Sequence, residues 1–367
     1  MKIRVGVFFG GKSVEHEISI ISGLQAFAAL DRQKYEPVPV YITKEGHFYT
    51  GEAFGDITSY SDIPALLRAG SRVLPASEGS CVVLVRYPAK RLGGHVVNSI
   101  DAALPVVHGA NVEDGALQGF FEVLGLPYTG PDVLSAALCM DKAISKTVLE
   151  NAGVPVLPAL MTNAFDWIKN PEAELRQIEA EFSYPVVVKP VNLGSSVGIT
   201  RADTRDTLRH ALDLSFKYAS RALVEPSVVD PREINRAVLG DAESSRVSVC
   251  EEPRAKRSIP AELTREQEHT IRALAVKAFK TLGCNGTARV DFLLDNETGA
   301  IYVNEVNAIP GSLSFNLWES TGLSFSALLD EMLTLALKRH REKGNLTYTY
   351  DTNILSDVAL GKESGKL

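Results

Sequence analysis

Two short runs, Arg289-Val-Asp291-Phe and Tyr302-Val-Asn-Glu305-Val-Asn307-Ala-Ile-Pro-Gly311, set three oxygen-bearing side chains on what read as neighbouring strands. Side chains alternate faces along a strand, so Arg289 and Asp291 share one face of the first strand, and Glu305 and Asn307 one face of the second. The polar stretch between them, Leu294-Asp-Asn-Glu-Thr-Gly299, reads as a hairpin turn. Carboxylate and amide oxygens suit a hard cation. Mg²⁺ in particular is held by one or two carboxylates while nucleotide phosphates complete its shell. Taken alone, Asp291 and Glu305 also fit, less well, surface acids on an edge hairpin.

Other motifs bear on phosphate. Val186-Val-Val188-Lys189-Pro190 ends an apolar, strand-like run on a lysine, which must find a counter-charge once buried. Behind it, Leu193-Gly194-Ser195-Ser196-Val197-Gly198 has the glycines and hydroxyls that let backbone N–H groups close over phosphate, though Gly-Ser hairpin loops are also common. In Met140-Asp141-Lys142, Asp141 reads as a helix N-cap and Lys142 as a first-turn cation opposing the helix dipole; a nearby anion or plain solvent accounts for it. His108 and Glu113 follow a strand, as do Ser13-Val-Glu15-His16-Glu17, and ligands of open α/β sheets bind at that edge. His108 fits a substrate contact or a structural loop histidine.

The elements that must hold these residues are legible in part. Ile3–Phe9 reads as a buried parallel strand followed by a helix from about Glu15 to Leu30, with further strands at 36–42, 82–85 and 102–107. This predicts an open parallel α/β unit over residues 1–130, with 51–79 its least readable part. A central unit, 131–225, takes one helix ended near Gly153, strands at 185–189 and 198–202, and Leu223-Val-Glu225. A third, 226–345, takes the strand 232–239, the helix 265–282, the opening hairpin and a helix over 325–341; 346–367 is a polar tail. At 367 residues two or three domains are expected. With 45% hydrophobic and 23% charged residues the chain has the balance of a soluble globular protein. A net charge of −7 without a basic block argues against nucleic acid as partner. The absence of a long apolar run or signal peptide argues against a membrane and for the cytoplasm. The four cysteines are scattered, without a CxxC pair.

Together the motifs resemble the D-alanine–D-alanine ligases of the ATP-grasp superfamily. The resemblance rests on Phe9-Gly-Gly-Lys-Ser-Val-Glu15-His-Glu-Ile-Ser, His108-Gly with Glu113-Asp-Gly, Met140-Asp-Lys142, Val188-Lys189-Pro with Gly194-Ser-Ser-Val-Gly, and Arg289-Val-Asp291 with Asn304-Glu305-Val-Asn307 and Pro310-Gly311. It implies a three-domain ATP-grasp fold combining α/β and α+β parts, and ATP-dependent joining of two D-alanines through a D-alanyl phosphate for peptidoglycan. It further implies that Glu15 helps hold the first D-alanine's ammonium, that Lys142 and Lys189 contact ATP phosphates, and that Ser195 belongs to the covering loop. Glu225 would meet the adenine amino group and Glu233 the ribose. Asp291, Glu305 and Asn307 would hold two Mg²⁺, replaceable by Mn²⁺, and Arg289 with the Gly311 N–H would stabilise the oxyanion. A homodimer is also implied.

Three departures stand out. The family commonly has Gly at Val112. Its long mobile loop, with Tyr and Lys facing the acyl phosphate, should lie between Val238-Leu-Gly240 and Ile259-Pro-Ala261, yet only Asp241 to Ser258 stand there, without tyrosine. Either the lid is lacking or a segment is missing across Pro253 and Arg254. The position contacting the second substrate's carboxylate falls on Asn316, beside Leu317, which opens D-serine or D-lactate as acceptor. A non-catalytic ATP-binding regulator is the reading from another class. A dehydrogenase fits less well, because Gly10-Gly11 is no GxGxxG.

Overall fold

The computed structural model describes residues 2–79, 81–89, 94–194, 196–253 and 257–349. Its strands form three sheets. The first holds β1 (Ile3–Gly10), β2 (Tyr35–Ile42), β3 (Phe48–Thr50), β4 (Ser71–Glu78), β5 (Cys81–Arg86), β6 (Val96–Ile100) and β7 (Ala102–Pro105), in the order β6-β5-β4-β3-β2-β1-β7. Only β1 with β2 and β1 with β7 pair parallel; the strands from β3 to β6 extend the sheet antiparallel. The expected parallel unit is thus confined to three strands, and the poorly legible 51–79 region supplies 3-10 turns, a helix and β4.

The second sheet, order β10-β9-β11-β8, is antiparallel, with β8 (Leu160–Asn163), β9 (Val186–Pro190), β10 (Thr200–Ala202) and β11 (Arg221–Pro226). The third, β13-β12-β14-β15, is also antiparallel, with β12 (Arg232–Gly240), β13 (Ser245–Glu251), β14 (Gly286–Leu294) and β15 (Ile301–Asn307). The helices are α1 (His16–Ala29), α2 (Ile63–Ala69), α3 (Ala116–Leu124), α4 (Val133–Met140), α5 (Lys142–Asn151), α6 (Ala164–Lys169), α7 (Pro171–Glu181), α8 (Arg205–Ser215), α9 (Arg265–Thr281), α10 (Phe315–Glu319) and α11 (Phe325–Gly344). The central part therefore carries more helix than the single one expected: α6, α7 and α8 pack on the second sheet through Trp167, Leu175, Ile178, Leu208 and Leu212.

Local chemistry explains the starts of the helices nearest the cleft. Asp141 accepts from the Ala143 and Ile144 N–H groups and so starts α5 with Lys142 in its first turn, while Thr264 and Gln267 form a reciprocal capping box at α9. Long-range packing joins the ends of the chain. Leu313, Leu317, Trp318 and the apolar face of α11 lie in one core with β1, β2 and β7. The segment after β15 is thereby held against the first sheet.

α1 lies on β1 with almost no gap. A Cβ added to Gly23 would meet Phe9 Cβ at 2.3 Å. Gly23→Ala is therefore expected to destabilise the protein by roughly 1–3 kcal/mol through overpacking, read as a lower midpoint in urea; an unchanged midpoint would show that the contact relaxes freely.

Candidate active site

A cleft of about 720 Å³ is lined by residues from all three sheets. The loops after β1 and β7 supply Glu15, His108 and Glu113; the second sheet supplies Lys189 and Glu225; the third supplies Arg289, Asp291, Glu305 and Asn307. Lys142, Glu233 and Gly311 also line it.

The third sheet gives the cleft its acidic floor. Glu251, Asn235, Asp291 and Glu305 stand directly opposite one another on β13, β12, β14 and β15, and Arg289 stands opposite Asn307. Directly opposed residues project to the same side, so both pairs of the opening hairpin face the cleft together. A break in period makes this possible. The register passes from Asp291↔Glu305 to Phe292↔Val303, leaving Asn304 as the extra residue of a β-bulge. Val303 faces the core, and strict alternation would send Glu305 there too. The bulge turns Asn304 and Glu305 both to the cleft while Val306 and Ala308 return to the core.

Burying these carboxylates demands counter-charge. Arg289 donates to both oxygens of Asp291 at 2.6 and 2.7 Å, and Asn307 Nδ2 donates to Asp291 Oδ2 at 2.9 Å. Burial pushes the Asp291 carboxyl up against the pull of Arg289. Burial alone would lower Arg289, but Asp291 outweighs it and raises the guanidinium further. Lys142 Nζ lies 3.0 Å from Glu305 Oε2. Burial would raise Glu305, yet Lys142, with Lys189 and Arg289 behind it, brings it below the ordinary carboxylate range. With its side chain 10% exposed, Lys142 is no solvated lysine.

Glu225 is the other charged centre. Its carboxylate holds Lys189 at 2.6 Å and also pairs with Lys146, while Lys189 Nζ donates to Asn304 at 2.9 Å. Burial opposes the charge on Glu225, and the two lysines bring it below its usual value. The sequence reading did not single out Asn304 and Asn235, which line the cleft, or Lys146 and Glu251, which stand behind it. For Lys146 a signal existed: it lies one helical turn beyond Lys142, on the same face of α5. For Asn304 the signal was the three-residue spacing from Val303 to Val306, where a regular strand repeats every two.

On the opposite wall the Glu15 carboxylate is flanked by glycines. A Cβ on Gly194 would lie 2.8 Å, and one on Gly109 3.0 Å, from Glu15 Oε2. His108 is buried, and burial takes its imidazole down to about 4. The neutral ring lies 3.2 Å from the Ile309 carbonyl through Nδ1 and 3.1 Å from the Ser22 hydroxyl through Nε2. Since a carbonyl only accepts, Nδ1 carries the proton and Nε2 accepts. Glu113 accepts from Gly109 N–H at 2.9 Å and Ile309 N–H at 3.4 Å. His108 and Glu113 thus fasten the strand-to-turn segment that leads to Gly311.

Other expectations meet a different structure. Ser195 lies outside the described residues. Asn316 and Leu317 do not line the cleft: Leu317, 1% exposed, packs in the core around the first sheet, and the Asn316 carbonyl accepts from Ser320 within the turn ending α10. Glu233 sits exposed at the rim. Val112 is accommodated by Gly11, whose missing Cβ leaves room for its side chain, and the positive φ values of that loop fall on Gly109 and Asn111. Where the family lid was expected, Glu252 and Ser258 exchange backbone hydrogen bonds of 3.0 and 3.1 Å; Arg254, at the junction in question, lies outside the described residues.

The donor set fits Mg²⁺. Two carboxylates and an amide are hard oxygen ligands on one sheet face, and among the described residues no group of three His, Cys, Asp or Glu side chains offers a complete cage. Such a set leaves coordination positions for phosphate oxygens. Among the described residues no helix is long and apolar enough to cross a membrane.

Known proteins resemble this chain over nearly its whole length. The family description "D-ala D-ala ligase N-terminus" matches residues 4–131 and "D-ala D-ala ligase C-terminus" residues 148–334. The D-alanine–D-alanine ligase of Geobacillus thermodenitrificans is 36% identical, over 96% of this chain and all of its own. Among solved structures, the D-alanine–D-alanine ligase of Coxiella burnetii has a TM-score of 0.81 at 33% identity, covering 94% of this chain and 96% of its own. The VanG D-Ala:D-Ser ligase of Enterococcus faecalis has 0.79 at 32%, covering 92% and 100%. The Bacillus anthracis D-alanine–D-alanine ligase complexed with ATP has 0.67 at 27%, covering 93% and 99%.

Burial, with the Glu15 charge behind it, pushes the Glu113 carboxyl up to about 8. The folded protein then keeps a proton that the unfolded chain releases near pH 4.5, so this group's contribution is full at low pH and is lost as pH rises toward 8. Glu113→Gln should gain on the parent protein by on the order of 1–2 kcal/mol between pH 5 and 7, allowing for screening from the cleft. Urea titrations at both pH values test this, and a constant difference would count against it.

Proposed function

The chain belongs to the D-alanine–D-alanine ligase family, and on that premise we propose that it joins two D-alanines into a dipeptide for peptidoglycan, with ATP as phosphoryl donor. The observation that carries the reading is the convergence of Lys142 and Lys189 with the Asp291–Glu305–Asn307 face in one cleft, since a nucleotide triphosphate needs both cations and metal-competent oxygens.

In this reading Glu15 receives the first D-alanine's ammonium, and the glycines at 109 and 194 leave room for that contact. The carboxylate of that D-alanine attacks the γ-phosphorus, ADP departs, and a D-alanyl phosphate results. Lys142 and Lys189 bind and orient the phosphates. Asp291, Glu305 and Asn307 would hold Mg²⁺ or Mn²⁺, which when bound neutralises charge on the transferring group. The amine of the second substrate then attacks the acyl carbon. Negative charge collects on the carbonyl oxygen, where Arg289, fixed by Asp291, and the Gly311 N–H stabilise it before phosphate leaves. Glu225 accepts from the adenine amino group and Glu233 meets the ribose. No side-chain nucleophile is needed. Such a reaction belongs in the cytoplasm, where ATP is available. A homodimer, implied by the family, would show as twice the chain mass in light scattering.

A second acceptor has a specific motive. The D-alanine and D-alanine:D-serine ligase structures resemble this chain almost equally, while Asn316 and Leu317 stand away from the cleft. D-serine and D-lactate are therefore the alternatives to test.

Incubation with ATP, Mg²⁺ and D-alanine should release phosphate and yield D-alanyl-D-alanine, and mass spectrometry with D-serine and D-lactate in competition should report the preferred acceptor. No ligated product from any pairing would sink the ligase reading, whereas substrate-dependent phosphate release would exclude a non-catalytic regulator. Arg289→Lys, which loses the planar fork held by Asp291, should lower kcat by about 10²-fold or more with smaller changes in KM; an unchanged kcat would remove Arg289 from the oxyanion role.

A further inference from the structure

Lys146 is almost fully buried, yet it does not line the cleft. Its ammonium pairs with Glu225 Oε1 and lies 3.4 Å from the Leu157 carbonyl oxygen. Glu225, 1% exposed, holds Lys189 through its other oxygen, and Lys189 reaches Asn304 beside Glu305. Two ammoniums thus share one carboxylate. In a low-dielectric setting this is an incomplete neutralisation, because the triad keeps one unit of positive charge at the wall of the cleft.

We propose that Lys146 is a nucleotide-positioning residue, acting through Glu225 rather than by touching the ligand. The inference rests on the reading that Lys189 meets phosphate and Glu225 meets the adenine amino group. Remove Lys146, and Glu225 and Lys189 form a neutral, closed pair in which the carboxylate competes directly with phosphate for the lysine. With Lys146 in place, each Glu225 oxygen has its own ammonium, and the excess charge remains available to the nucleotide. Burial lowers the Lys146 ammonium from its usual value, and the Glu225 charge opposes this.

The charge count separates this role from a purely structural one. Lys146→Met leaves a neutral pair, whereas Lys146→Met combined with Glu225→Gln leaves Lys189 alone and restores the single positive charge. Calorimetric binding of ATP and of inosine triphosphate, in which an oxo group replaces the adenine amino group, reads both functions. The parent protein should prefer ATP. Lys146→Met should weaken ATP binding about tenfold or more and narrow that preference, and Lys146→Arg should rescue most of the loss. The double variant should regain affinity for both nucleotides without regaining the preference, because a glutamine amide offers an acceptor to adenine and a donor to hypoxanthine. Near-UV circular dichroism checks that each variant is folded; the single variant keeps a neutral Glu225–Lys189 pair, and the double variant leaves Lys189 with Asn304 as its partner. Parent-like ATP binding by Lys146→Met, or a double variant no better than a folded Lys146→Met, would overturn the proposal. A parent protein that binds neither nucleotide would overturn the nucleotide reading itself.

Discussion

The arrangement depends on compensating charge that has been taken out of water. Asp291, Glu305 and Glu225 are held where burial alone would discharge them, and each is answered by a cation from a different position in the chain: Arg289 within the same strand, Lys142 and Lys146 from α5, Lys189 from β9. Removing any one partner leaves a desolvated charge, which costs far more than an exposed ion pair contributes. The second and third sheets are therefore tied to α5 by electrostatics as well as by apolar packing. The pairings also set out the chemistry, since the groups that neutralise one another are those that a metal-bound triphosphate would engage.

The strand carrying these acids has to face the right way, and a single extra residue decides it. Without the bulge at Asn304, Glu305 would point into the core beside Val303 and the acidic floor would lose its edge. The bulge places Asn304, Glu305 and Asn307 on one side while Val306 and Ala308 keep their apolar contacts. Beyond it, the chain enters a turn where Ser312, Leu313 and Ser314 all adopt positive φ, a costly conformation for residues with a Cβ. Ser312 N–H donates to Ser22 on α1, and neutral His108 joins Ser22 to Ile309. The first sheet thus helps to hold the backbone that presents Gly311.

At the acceptor end the protein departs from its relatives' implied pattern. Across the interval that would carry a mobile lid, Glu252 and Ser258 exchange backbone hydrogen bonds, and Arg257 pairs with Glu251 on the cleft row. Leu317, assigned to substrate by resemblance, is committed to the core with Trp318, whose indole N–H donates to Thr287. A buried leucine cannot also read a substrate without giving up that packing. The acceptor is therefore a question for competition and not for motif matching.

The sequence alone carried the local part of this picture. Residue types and spacing announced the strands at Ile3, Val186 and Arg289, the Asp141 cap, the hairpin at Gly299 and the family motifs, because periodicity, capping and turn chemistry act over a few residues. The short strands β3 and β6, the central helices and the antiparallel extension of the first sheet were not legible, since very short strands carry too few repeats of the strand period and the short helices are held by packing on their sheet. The same division runs through the site. Sequence determined that Lys189, Asp291 and Glu305 were present and chemically apt. Only the tertiary structure decided that Glu305 faces the cleft, that Lys146 shares Glu225 with Lys189, and that Leu317 belongs to the core. Strand register, a bulge and the mutual neutralisation of buried charges are properties of several distant segments at once, and no local stretch encodes them.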